Sequence, residues 1–86
     1  MKRYIRSNRY DEYYGKSAYE QYGDNVSKVL KGQTVSKRTD KAEKPGGLIY
    51  EANELGMDMW DLLACLEGMC HNGKATEIDD STYRIF

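Results

Sequence analysis

The chain is poor in the residues on which most catalytic and metal chemistry depends. It has two cysteines, one histidine, one tryptophan and one proline. No apolar run approaches the length of about 20 residues that spans a bilayer. Cys65 and Cys70 lie in a stretch whose periodicity predicts a helix, and five residues of helix rise about 7.5 Å and turn about 140°. Their alpha carbons then stand roughly 8 to 9 Å apart and face different ways, beyond a disulfide's reach of about 7 Å. The expectation is buried thiols in a reducing cytosol. Cys70-His71 is too sparse for a metal site, which takes four ligands, and the paired Cys-x-x-Cys spacing is missing. His71, at a helix end, is expected to face terminal carbonyls. A catalytic dyad needs an oriented base and a cleft, and a chain of 86 residues is small for one. Asp79-Asp80 read as turn formers. Gly46-Gly47 lack the spacing and the Lys-Ser/Thr pair of a phosphate loop. The expectation is no enzyme, no cofactor and no metal.

Met1-Lys2-Arg3-Tyr4-Ile5-Arg6 leads into polar residues and not into a signal-peptide apolar stretch, so a cytoplasmic protein without a membrane partner is expected. The length allows one small core, and with 31% of residues charged, part of the chain contributes little to it. Net charge is −1, but residues 1 to 45 hold eleven Lys or Arg against six Asp or Glu, and residues 46 to 86 hold two against eight. The basic half suits a polyanion; the acidic half repels one.

Residues 1 to 16 are expected to form a loosely held basic arm rich in tyrosine, and residues 17 to 86 a small domain with a polar loop at 36 to 47. Ser17 and Glu20 fit a capping box. Tyr19, Tyr22, Val26, Val29 and Leu30 recur at helical spacing up to Gly32, with Gly23-Asp24 interrupting, which confines the firm helix to 24 to 31 with Asp24 as its cap. Gln33-Thr34-Val35-Ser36 is a short candidate strand. Residues 37 to 44 have no apolar side chain larger than alanine and read as solvated loop, closed by Pro45-Gly46-Gly47. Leu48, Ile49, Ala52 and Leu55 mark a helix that Gly56 ends. Asp58 then caps a second helix burying Met59, Leu62, Leu63, Leu66, Met69 and Cys70, stopped by Asn72-Gly73. Trp60 falls beside that stripe, as a lid on the core or as a half-exposed anchor.

A hairpin follows. With Asp80-Ser81 as a two-residue loop, Asp79 faces Thr82, Ile78 faces Tyr83, Glu77 faces Arg84, Thr76 faces Ile85 and Ala75 faces Phe86. Thr76, Ile78, Tyr83 and Ile85 then share one face, and Glu77 pairs with Arg84 on the other. A longer loop would shift this register.

Helix, short strand, helix, tight turn, helix and hairpin is an element order that resembles winged-helix domains. The likeness concentrates in residues 61 to 85, where a leucine-bearing helix runs into a glycine, a charged strand, an acidic turn and a strand with tyrosine. The resemblance implies an α+β fold of three short helices with a C-terminal β-hairpin. In overall texture the chain also resembles small proteins of mobile elements and phages of Gram-positive bacteria. Winged-helix DNA readers carry basic or hydroxyl residues along the third helix. Here that helix offers Asp58, Asp61 and Glu67, and no basic residue stands between Lys44 and Lys74.

Two expectations of function follow. The first is a non-catalytic interaction module, a regulatory or accessory protein that docks another protein through Tyr50, Glu54, Asp58, Trp60, Asp61 and Glu67. The second is nucleic-acid binding led by the arm, with Arg3, Arg6, Arg9, Lys37, Arg38 and Lys41 on phosphates. Unpaired sheet edges allow a monomer or a weak homodimer.

Overall fold

A computed structural model describes residues 12–86, with side chains from Lys16 onward. Six elements follow one another: α1 (Glu12–Val29), β1 (Thr34–Ser36), α2 (Leu48–Leu55), α3 (Met59–His71), β2 (Ala75–Asp79) and β3 (Thr82–Ile85). The architecture is α+β, three helices and one antiparallel three-stranded sheet ordered β1-β3-β2. No helix among the described residues is long and apolar enough to cross a membrane.

α1 corrects two expectations. It is already helical at Glu12, upstream of the Ser17 capping box, and it runs through Gly23-Asp24 without a break. Glycine costs a helix interior about 1 kcal/mol, but Gly23 is buried, and a Cβ there would collide with the Tyr19 ring. The missing side chain is what lets that ring fold against its own helix. Ala18, Val26 and Leu30 recur every four or eight residues and enter the core, whereas Val29 is exposed.

α2 and α3 begin and end where local chemistry says. Gly56 takes the left-handed conformation at φ 69°, which a side chain would resist. Asp58 caps α3, its Oδ1 accepting from the Trp60 amide at 2.7 Å. Buried α3 residues are not confined to a stripe. Leu62, Leu63, Ala64, Cys65, Leu66, Gly68 and Met69 are all buried, because α1, α2 and β2 all pack against this helix. Each fully buried leucine or methionine there contributes about 1.5–3 kcal/mol. Both cysteines are free thiols, Cys65 buried and Cys70 half-buried.

The segment after β1 is the expected loop, mostly exposed, but it is pinned to the domain at several points. The Ser36 amide donates to the Gly46 carbonyl at 2.8 Å, and the Tyr50 amide reaches back to the Ala42 carbonyl at 2.9 Å. Ala42 is buried, and so is Lys37, with 7% of its surface exposed.

The hairpin keeps only the tip of its expected register. Asp79 pairs with Thr82, but Glu77 pairs with Tyr83, Thr76 with Arg84 and Ala75 with Ile85. Ile78 is an extra residue between Glu77 and Asp79, a bulge that shifts every later pair by one. Ala75, Tyr83 and Ile85 therefore share the inner face, and Ile78 stands in solvent at 53% exposure. The expected pairing of Glu77 with Arg84 gives way to an ion pair between Glu77 and Lys37.

Candidate functional site

The acidic candidates gather at the junction of α2 and α3. Glu54 lies exposed on the last turn of α2, Asp58 is the exposed cap of α3, and Asp61 is half-buried in the first turn of α3. Between Asp58 and Asp61, Trp60 is 42% exposed. Its ring stands partly in solvent and does not lie as a lid on the core. Met57 and Met59, packed against the core, are only partly buried. Tyr50, one turn before Glu54 on α2, is half-buried. The cap Asp58 and the first-turn Asp61 both suit the α3 dipole.

Glu67 does not join this surface. It sits at the edge of the core, accepts a hydrogen bond from the Tyr83 hydroxyl, and its carboxyl is pushed above the ordinary glutamate value. Burial is the main cause and the nearby Glu77 carboxylate adds to it, against Lys37 and His71.

Lys37 completes the same cluster. Its amide donates to the Ser81 carbonyl at 2.6 Å, which extends the β1–β3 ladder by one register step past Ser36. Strand alternation then turns its side chain inward with Val35. The ammonium lies 3.2 Å from the Tyr83 hydroxyl, 3.5 Å from Glu77 Oε2 and 4.7 Å from the centre of the Tyr83 ring. The ammonium thus bridges the Tyr83 phenol and Glu77, and the phenol in turn donates to Glu67, linking sheet and helix. The expected phosphate contact at Lys37 is corrected by this burial: an engaged, enclosed ammonium cannot reach a polyanion.

Of the other basic candidates, Arg38 is exposed but forks onto Asp40 at 3.0 and 3.2 Å, which holds the aspartate below its usual range. Lys41 is exposed on the loop. Arg3, Arg6 and Arg9 lie outside the described residues. Among the described residues, no group of three or more His, Cys, Asp or Glu is placed to hold a metal ion. The burial of Cys65 lifts its thiol to about 12, and Cys70 is lifted to about 11, chiefly by burial and further by Glu67 and Glu77.

Sequence reading missed the Lys37–Tyr83–Glu67–Glu77 cluster. The available signal was alternation: one more residue of β1 would have put Lys37 on the face of Val35.

These features define a small α+β domain in which a polar cluster around the buried Lys37 joins the sheet to α3 and a half-exposed tryptophan stands beside acids. Comparison with protein-family models, with curated proteins and with solved structures finds no match to this chain.

Proposed function

We propose that the protein is a non-catalytic interaction module, a regulatory or accessory protein that docks a basic surface of another protein at the α2–α3 junction. The observation that carries this reading is Trp60, 42% exposed in the first turn of α3 with Asp58 and Asp61 beside it. Tryptophan left in solvent on a small domain is the residue type most enriched among interface anchors. Neighbouring carboxylates favour encounter with a basic partner and reject acidic ones. Glu54, exposed on the last turn of α2, adjoins this junction, and Glu67 leaves it. The element order supports the winged-helix resemblance. The acidity and the burial of α3 argue against its use as a DNA-reading helix, so the fold serves protein contact.

The test is capture of partners from cells of the source organism by the wild type, Trp60→Ala and Asp58→Ser, the last keeping a capping oxygen while removing the charge. A protein retained by the wild type and lost by both variants is the expected result. No specific partner, or one held equally by all three, overturns the reading.

A further inference from the structure

The outer face of the sheet plays no part in the docking surface at α2 and α3. On β3, Tyr83 and Ile85 point inward and are buried, while Arg84 is exposed. Phe86 continues that alternation on the side of Arg84 and is 57% exposed. Arg84 lies between Thr34 of β1 and Thr76 of β2 in the register. One step further, the Phe86 amide donates to the Lys74 carbonyl at 3.0 Å, which places Lys74 across from Phe86. On the other flank, the Gly32 amide donates to the Ile85 carbonyl at 2.9 Å. Gly32 has no side chain, and a Cβ there would meet nothing within 4 Å, so the flank beside Phe86 is open. Lys31 precedes it on the same turn and is exposed.

Around Phe86 the charge on this face is basic; the face's carboxylate, Asp79, stands opposite Thr82 at the far end of the hairpin. The segments that supply the basic charge, 25 to 36, 68 to 76 and 81 to 86, contain no Asp or Glu. Lys74 and Arg84 are the two basic residues of the acidic half of the chain, and the fold sets them on neighbouring strands. No ion pair joins Lys31, Lys74 or Arg84 to a carboxylate among the described residues.

Cations around an exposed aromatic ring, with threonine hydroxyls between them, form the chemistry that holds a single strand: phosphates on Lys and Arg, a base stacked on the ring. A duplex keeps its bases stacked inside and leaves the ring without a partner. We infer that the outer sheet face binds single-stranded nucleic acid, stacking a base on Phe86 and contacting phosphates through Lys31, Lys74 and Arg84.

This surface differs from the arm and from the 37 to 44 loop, and the experiment separates them. The full chain is titrated into a dye-labelled 12-nucleotide oligothymidylate and followed by fluorescence anisotropy, with a 12-base-pair duplex and phosphatidylserine vesicles as comparison arms. Three phosphate contacts on a single strand give a log K against log salt slope of about −2. Arg84→Gln and Lys74→Gln each flatten that slope by about 0.7. Phe86→Ala weakens binding about tenfold with the slope unchanged, and Phe86→Leu, which keeps apolar bulk without a stacking ring, does the same. The triple variant Arg3→Gln, Arg6→Gln, Arg9→Gln retains the Phe86 dependence. The inference is overturned by absence of binding at 25 mM salt, by loss only in the arm variant, or by equal or tighter binding to duplex or vesicles. It is equally overturned by a dimer in sedimentation that Phe86→Ala dissociates, since a second copy would then cover the face.

Discussion

Tyr83→Phe tests the polar cluster that joins the sheet to α3. The ring of Tyr83 is wholly buried and stays in place, so no cavity opens and packing contributes nothing to the change. What disappears is the hydroxyl, which donates to Glu67 and meets the Lys37 ammonium at 3.2 Å. A hydrogen bond to a charged group contributes about 1.5–3 kcal/mol when the partner is buried. Lys37 is buried and keeps only part of its company through the half-exposed Glu77, while solvent softens the loss at the half-buried Glu67. The two losses together come to about 2–3 kcal/mol, a large share of the 5–15 kcal/mol that holds a typical domain. At about 4–8 °C per kcal/mol for a chain of this size, the midpoint falls by roughly 10–20 °C. Urea unfolding followed by circular dichroism at pH 7.5 should show this loss with an unchanged m value. The loss should shrink toward pH 4.5, because a protonated Glu67 no longer needs the phenol as donor. A loss below about 0.5 kcal/mol, or one that does not vary with pH, would refute the reasoning.

Glu67→Gln keeps an oxygen that accepts from Tyr83 and removes the charge. The folded-state pKa of Glu67 lies above 4.5, so its stabilising contribution is full below that value and is lost as pH rises through the raised one. The variant should match the wild type near pH 4 and exceed it near pH 8 by up to about 1 kcal/mol, solvent screening limiting the gain; wild-type superiority at pH 8 would be the contrary result. Gly47→Ala places a Cβ against the carbonyl oxygens of Lys41 and Ala42, inside van der Waals contact with backbone. It should cost about 3 kcal/mol or more, against about 1 kcal/mol for Gly56→Ala, where only the left-handed φ resists. Equal thermal midpoints for the two variants would contradict this. Cys65 and Cys70, lifted to about 12 and about 11, should resist a thiol reagent at pH 8 in the native protein and react in denaturant. Labelling of native Cys65, read by mass spectrometry, would contradict the packing.

Several boundaries were legible because their causes are local. Gly56 ends α2 and Asp58 starts α3 through hydrogen bonds within one turn of chain, and the five-residue spacing of the cysteines places both on the same short helix as free thiols. The strand at residues 34 to 36 and a hairpin with Asp79 opposite Thr82 were likewise readable from turn and β-branched residues. Of the candidate docking residues, Glu54 and Asp58 stand exposed as their polarity suggested and Trp60 is half-exposed, whereas Tyr50, Asp61 and Glu67 are half-buried, and the phosphate candidate Lys37 is buried.

The sequence by itself determined the order of elements, the stop at Gly56, the cap at Asp58 and the segregation of charge along the chain, since each depends on neighbours a few residues away. Only the tertiary structure decided which way the strands and charges face. The bulge at Ile78 moved the hairpin by one residue, and period-two alternation turns a one-residue slip into a change of face. Lys37 found its partner 46 residues away in Tyr83, and Gly23 stayed helical because the packed helix outweighed its propensity. Lys74 and Arg84, isolated cations in an acidic stretch, became neighbours through strand pairing. Such outcomes rest on contacts between distant residues, whose free energy exceeds local preference and leaves no trace in local spacing.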